Sequence, residues 1–106
     1  MSYEAVANLS ISESLQTFQL LNWKPGTVKV DDAGVSFHER GEAEPLSRAF
    51  SDIKSVSLTT HSLAPDEITL VMHDGLHWGI HTSDGTPLVE ALRAHGVARE
   101  PSARTF

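Results

Sequence analysis

The segment Ile68–His81 constrains the fold most, because apolar and polar residues alternate on both sides of a single Asp-Gly pair. Alternation with a period of two is typical of a half-buried β-strand. A two-residue turn at Asp74-Gly75 would set apolar residues opposite histidines on one face of the hairpin. A three-residue turn, His73-Asp74-Gly75, with the glycine at positive φ, avoids this mismatch. The predicted pairs are then Met72 with Leu76, Leu70 with Trp78, and Ile68 with Ile80.

A second hairpin is predicted over residues 27–38, where apolar residues again alternate with polar ones. The loop Asp31-Asp32-Ala33-Gly34 brings the two apolar faces together, since Gly34 is able to adopt positive φ. The predicted pairs are Val30 with Val35 and Val28 with Phe37. Further strands are predicted at 45–50, from 53 to about 61 and, on a pattern that also fits a helical face, at 13–22.

One amphipathic helix is predicted at about 87–95, directly after the hairpin at 68–81. Thr86 is the expected N-cap, because the Pro87 that follows it is favoured at the first helical position. Gly96 followed by Val97 is typical of a left-handed helix stop with a hydrophobic contact. The fold class is therefore mainly β with one C-terminal α-helix.

Both ends of the chain are expected to lie outside this domain. Residues 1–14 carry apolar residues at irregular spacing and are interpreted as an N-terminal arm, either frayed or a short helix. Residues 98–106 have no periodicity and contain a proline, so a flexible tail is predicted there. The predicted domain comprises residues 15–97.

The order of about seven short strands and a closing helix resembles the pleckstrin-homology-like (PH-like) superfold. The segments similar to bacterial PH-like and GRAM-type domains are 26–35, 50–56 and 88–92, within a region covering 26–96. The resemblance implies a small antiparallel barrel or sandwich. It also implies a module that binds phosphoinositides, peptides or proteins, or builds assemblies, because this superfold does not fix one function.

The charge balance argues against polyanionic partners. Eight Lys and Arg against fourteen Asp and Glu give a formal net charge of −6, which repels nucleic acid. Lipid-binding PH-like domains place several Lys and Arg on the first two strands, because a phosphorylated headgroup needs several cations. Here that region offers Lys24 and Lys29 alone, so we expect no phosphoinositide binding.

The absence of cysteine and of long apolar runs also limits the predicted cellular compartment and the chemistry of the chain. The chain has no cysteine, which excludes disulfides and thiolate-ligated metals. Its first residues lack the basic and apolar regions of a signal peptide, and its apolar runs are far shorter than a bilayer span, which predicts a cytoplasmic protein or an excised soluble module.

The ionisable residues have structural explanations. His77 and His81 lie four apart on a strand, about 13 Å, which is too far to share one metal ion. The acidic pairs Asp31-Asp32 and Asp66-Glu67 fall in predicted turns, where carboxylates cap backbone amides. We therefore predict no catalytic residue, cofactor or metal, and no enzyme activity.

The remaining candidate is a tryptophan in a predicted loop. Trp78 belongs to the apolar face of its strand and is expected in the core, whereas Trp23 either packs back onto the barrel end or marks a contact site. Trp23, Lys24 and Lys29 are the predicted partner-contact residues.

The leading hypothesis is a non-catalytic protein-interaction or assembly module, including a homo-oligomer formed through an edge strand. The alternative is a domain that holds a small molecule or lipid at the open end of the barrel.

Overall fold

The computed structural model describes residues 3–12, 23–60 and 63–101. In this part of the chain, seven antiparallel strands form one sheet, and an α-helix follows the last strand. This confirms the predicted fold class. The elements are β1 (Tyr3–Ser12), β2 (Lys24–Asp31), β3 (Gly34–Glu39), β4 (Leu46–Arg48), β5 (Ile53–Thr59), β6 (Asp66–Met72), β7 (His77–Thr82) and α1 (Thr86–Ala94).

The strand order is β4-β3-β2-β1-β7-β6-β5, which places β1 at the centre. Residues Tyr3–Leu9 of β1 pair with β2, and residues Asn8–Ser12 pair with β7. The first strand therefore joins a half built from β2–β4 to a half built from β5–β7.

The prediction of an N-terminal arm or short helix is wrong for residues 3–12, which form this central strand. Its inward side chains include Ala7 and Leu9, both 3% exposed, whereas the outward Val6 is 73% exposed. Apolar residues thus occupy both faces, and the inner ones are partly small, which hides the alternation in the sequence. The strand predicted at 13–22 lies outside the described residues.

Both predicted hairpin registers are confirmed. Ile68 pairs with Ile80 and Leu70 with Trp78, and the Met72 N–H donates to the Leu76 carbonyl at 2.9 Å. Gly75 has φ +95°, as the three-residue turn requires. In the other hairpin Val28 pairs with Phe37, Val30 with Val35, and the strand pairing extends to Asp31 and Gly34.

The helix begins one residue earlier than predicted, with Gly85 rather than Thr86 at its N-cap. The Asp84 carboxylate accepts a hydrogen bond from the Thr86 N–H at 3.1 Å. It thereby satisfies one of the backbone amides in the first turn that have no acceptor within the helix. At the other end Gly96 has φ +91° and the Val97 N–H donates to the Leu92 carbonyl, which confirms the predicted left-handed stop.

The core lies between the inner faces of the curved sheet and α1, which contacts β1, β2 and β5. Trp78 is 2% exposed, so its predicted place in the core is confirmed. The largest fully buried side chains besides Trp78 are Phe37, Ile68, Leu70, Met72, Ile80, Leu88, Leu92, Val28, Val30 and Val35.

The prediction of a flexible tail is wrong for residues 98–100. The Val56 N–H donates to the Ala98 carbonyl, and the Glu100 N–H donates to the Val56 carbonyl, both at 2.9 Å. Arg99 thereby forms a parallel bridge with Val56 on the outer edge of β5. Backbone pairing of this kind places no demand on side-chain type, so the sequence carries no periodic signal for it.

A chain that ends at Val97 should therefore be less stable than the full chain. Loss of two backbone hydrogen bonds is expected to lower the free energy of unfolding by about 1–3 kcal/mol. Urea denaturation measures the change. A chain that ends at Pro101 keeps both bonds and serves as the control, and equal midpoints for the two truncations would contradict the assigned pairing.

Alanine substitutions at two glycines distinguish the stability cost of backbone strain from the additional cost of a steric clash. Gly34 has φ +149°, and an added Cβ would lie 2.1 Å from the Arg48 carbonyl oxygen, whereas Gly75 has φ +95° and nothing within 4 Å of an added Cβ. Gly75→Ala should cost about 1–2 kcal/mol from strain alone. Gly34→Ala should cost about 3 kcal/mol or more, because β4 must also shift. Equal losses in thermal denaturation would argue against the close β3–β4 approach.

Candidate interaction surface

An open groove of about 300 Å³ lies at the end of the sheet where β1 finishes and β2 begins. A ligand site at the open end of the barrel is one of the two functions predicted from the sequence. We name it the open-end groove. Its lining residues are Leu9, Ser10, Ile11, Lys24, Phe37, Glu39 and Leu46.

Strand register gives this groove an apolar base and an apolar rim. Leu9 and Phe37 are almost completely buried and form the base. Gly26 lies beside Phe37, and an added Cβ would approach the Phe37 ring to 2.7 Å, so the glycine leaves room for the ring beside β2. Ile11 and Leu46 form the rim and remain 38% and 49% exposed. Two large apolar side chains are therefore presented to solvent beside one cavity.

Charged groups flank the apolar rim. Lys24 Nζ lies 3.7 Å from Glu39 Oε1, and both side chains are substantially exposed, so this ion pair contributes at most about 1 kcal/mol. After Glu39 comes an exposed loop, residues 40–45, that carries Glu42 and Glu44. The stretch 39–44 contains three Glu against one Arg, which makes this side of the groove negative.

The loop is held in place by hydrogen bonds. The Arg40 N–H donates to the Pro25 carbonyl at 2.9 Å, and the Glu42 N–H donates to the Glu39 carbonyl at 3.1 Å. The His38 ring Nε2 donates to the Glu42 carbonyl. The acidic side chains therefore project from a defined turn beside the groove.

A second cluster lies on the outer face of the sheet, where Asn8, His81 and Glu67 are cross-strand neighbours. The Trp23 ring stacks on the His81 ring with centroids 3.7 Å apart and an angle of 16° between planes. His81 Nε2 donates to Glu67 Oε1 at 2.9 Å, and the Glu67 side chain is 5% exposed. The Trp23 side chain is therefore half-buried and lies against His81 of β7.

Breaking this cluster should destabilise the domain. His81→Leu removes the hydrogen bond to a buried carboxylate, and we expect a loss of about 2 kcal/mol. Glu67→Gln in the His81→Leu background should restore part of it, because a neutral amide is cheaper to bury than a carboxylate. Thermal unfolding of His81→Leu, Glu67→Gln and the double variant provides the measurement. An additive loss in the double variant would show that the pair is not coupled.

The three predicted contact residues do not come together. Lys24 lies on the groove rim, on the inner side of β2, while Trp23 and Lys29 belong to the outer side. Trp23 and Lys29 are six residues apart, about 20 Å along an extended strand. Lys29 is the cross-strand neighbour of Glu4. Their role as partner contacts stays a prediction.

Sequence reasoning missed the groove itself. The arm predicted at 1–14 includes Ile11 and the strand predicted at 45–50 includes Leu46, but neither pattern indicates a shared cavity. A usable signal exists for Leu46, because it is the one large apolar residue between the charged loop at 39–44 and Phe50.

The acidic pairs differ from expectation in one respect. Asp31 is the last residue of β2, and its carboxylate accepts a hydrogen bond from the Ala33 N–H of the adjacent turn at 2.9 Å, so the expected capping of a turn amide is present. The prediction of a turn at Asp66-Glu67 is wrong, because both residues begin β6. Asp66 accepts a hydrogen bond from the Gly85 N–H at 2.8 Å and so connects β6 to the start of α1.

Two further observations concern metals and membranes. Within residues 3–12, 23–60 and 63–101, no group of three or more histidines and carboxylates is placed to hold a metal ion. In the same ranges, no helix has the length and apolar character needed to cross a bilayer.

Comparison with known proteins gives one kind of match. No protein-family model and no curated protein matches the chain. Among solved structures, the PH domain of USP37 is similar, with a TM-score of 0.67 and 16% identity over 89% of this chain and 94% of that chain. The chain has a PH-like fold.

A second similar structure is the Spt16D Pob3N heterodimer, with a TM-score of 0.62 and 10% identity. The match covers all of this chain, which spans 58% of the matched chain. Identities this low establish the fold alone. The predicted PH-like resemblance is confirmed at this level, and its bacterial, GRAM-type form stays a prediction.

Proposed function

We propose that this domain is a non-catalytic protein-interaction module that binds its partner at the open-end groove. The observation that carries the proposal is the joint exposure of Ile11 and Leu46 beside a cavity whose base is Leu9 and Phe37. Apolar side chains grouped around a pocket and bordered by polar residues are typical of protein-binding sites.

The other ionisable groups support a non-catalytic role. Glu67 is hydrogen-bonded to His81, and Asp31 and Asp84 cap backbone amides. These contacts explain each group by sheet, turn or helix structure, so catalysis is not needed to account for them. One of the similar structures is a heterodimer, which is consistent with a partner protein.

A second candidate function is the binding of a small molecule or lipid in the same groove. It is favoured by the cavity volume of about 300 Å³, which falls at the lower end of ligand pockets. Phosphoinositide recognition has less support, because Lys24 is already paired with Glu39 and Lys29 lies on the other face of β2.

Selection from a random peptide library displayed on phage tests the proposal. We expect peptides with micromolar affinity whose binding falls about tenfold or more when Leu46→Asp is introduced, because a charge would then enter the apolar contact. Leu63→Asp is the matched control, since Leu63 is 98% exposed and lies away from the groove. Fluorescence polarisation measures both affinities.

Three results would count against protein binding. One is equal loss of affinity in the two variants. Another is a lipid or metabolite that stays bound to the purified domain in native mass spectrometry and leaves with Leu46→Asp. The third is headgroup-selective pelleting with phosphoinositide vesicles. Light scattering on the same sample measures whether a second copy of the chain is the partner.

A further inference from the structure

The two edges of the sheet are not equivalent. The β5 edge is hydrogen-bonded to residues 98–100 of the chain itself. In the described part of the chain, no strand lies beyond β4 at the other edge, where Leu46 and Ser47 are exposed. An exposed strand edge presents backbone donors and acceptors to which an extended peptide is able to add.

An apolar row across the sheet ends at this edge. Ala5 pairs with Val28, Val28 with Phe37, and Phe37 with Leu46, so these four side chains are successive neighbours on the inner face. Burial decreases at the last member, since Phe37 is 1% exposed and Leu46 is 49% exposed. A residue on an added strand would lie about 5 Å from Leu46 and continue the row.

The adjacent inner row ends differently. Tyr3, Val30 and Val35 lead to Arg48, whose Nη1 lies 3.1 Å from Asp74 Oδ2. The Leu76 N–H donates to the same carboxylate, and this hydrogen bond together with Arg48 lowers the Asp74 pKa. This row is thus closed by an ion pair to the β6–β7 turn, and Leu46 marks the one position on β4 where an apolar contact is missing.

The negative charge beside Leu46 indicates which partner residues should lie next to the apolar contact. Glu42 and Glu44 are exposed in the loop that leads through Pro45 into β4. A partner strand that passes Leu46 runs alongside this loop, so Lys or Arg on that side of its apolar residue would be attracted and Asp or Glu repelled.

We infer, on the basis of the proposed function, that the partner is an extended peptide segment that pairs with the edge of β4. This segment inserts one apolar side chain beside Leu46 in the open-end groove. Its basic residues lie against the loop that carries Glu42 and Glu44. The occupant is a segment of another protein. The local negative charge disfavours a second copy of a chain whose net charge is −6.

The test uses three pools of synthetic peptides of about ten residues, each with one central leucine and randomised neighbours. The flanks are all Lys in the first pool, all Ser in the second and all Glu in the third. The full chain should bind the Lys-flanked pool best, and affinity should fall about tenfold when the leucine becomes serine. Glu44→Lys should lower affinity for the Lys-flanked pool and raise it for the Glu-flanked pool. Glu90→Lys, on the exposed side of α1, is the control for net charge.

Backbone methylation tests strand addition itself. Peptides from the best pool, N-methylated on alternate residues in one of two registers, should lose binding in the register that bonds to β4 and keep it in the other. Equal binding of both registers, or equal effects of Glu44→Lys and Glu90→Lys, would overturn the inference. If such peptides still depend on Leu46 but not on Leu63, the interaction module stands and the strand-addition mode falls. If no pool depends on Leu46, the proposed function falls with it.

Discussion

The structure depends on the pairing of β1 along both of its edges. Asn8 pairs with Pro25 on one side and His81 on the other, and Leu9 pairs with Lys24 and Ile80. These two residues are where the halves of the sheet meet. Among the described residues, the pairing of β1 with β2 ends at Leu9 and Lys24, whereas its pairing with β7 continues to Ser12. The open-end groove lies where this pairing ends, and Ile11 at its rim pairs with Trp78 of β7.

The two faces of the sheet differ in this region. On the inner side, Leu9 and Phe37 form an apolar base to which solvent has access through the groove. On the outer side, Trp23 covers His81 just before β2 starts. The Trp23 ring thus covers part of the outer face, whereas the Phe37 ring lies in the base of the groove and the apolar rim is aliphatic. Trp23 thus packs on His81, its role as a partner contact stays a prediction, and the exposed apolar surface beside the groove is formed by Ile11 and Leu46.

Sequence reasoning succeeded where a single rule governs side-chain direction. Both hairpins were predicted in register because period-two alternation and turn glycines point to one pairing each. It failed at β1, where Val6 faces outward and alanines face inward, and at residues 98–100, where backbone groups alone make the contact. The groove could not be predicted because its lining comes from β1, β2, β3 and β4, and no local pattern encodes how these strands come together.

Edge protection offers a physical reason for the place of the groove. The chain covers β5 with its own C-terminal segment, and the Arg48–Asp74 ion pair closes the far end of β4. Pro45 removes one backbone donor at the near end, and a strand of three residues offers little template for uncontrolled aggregation. Burying the exposed part of Leu46 is worth about 1 kcal/mol, too little to drive non-specific association alone. An apolar residue at this guarded edge is therefore compatible with a monomer in solution and with a partner that supplies additional backbone and charge contacts.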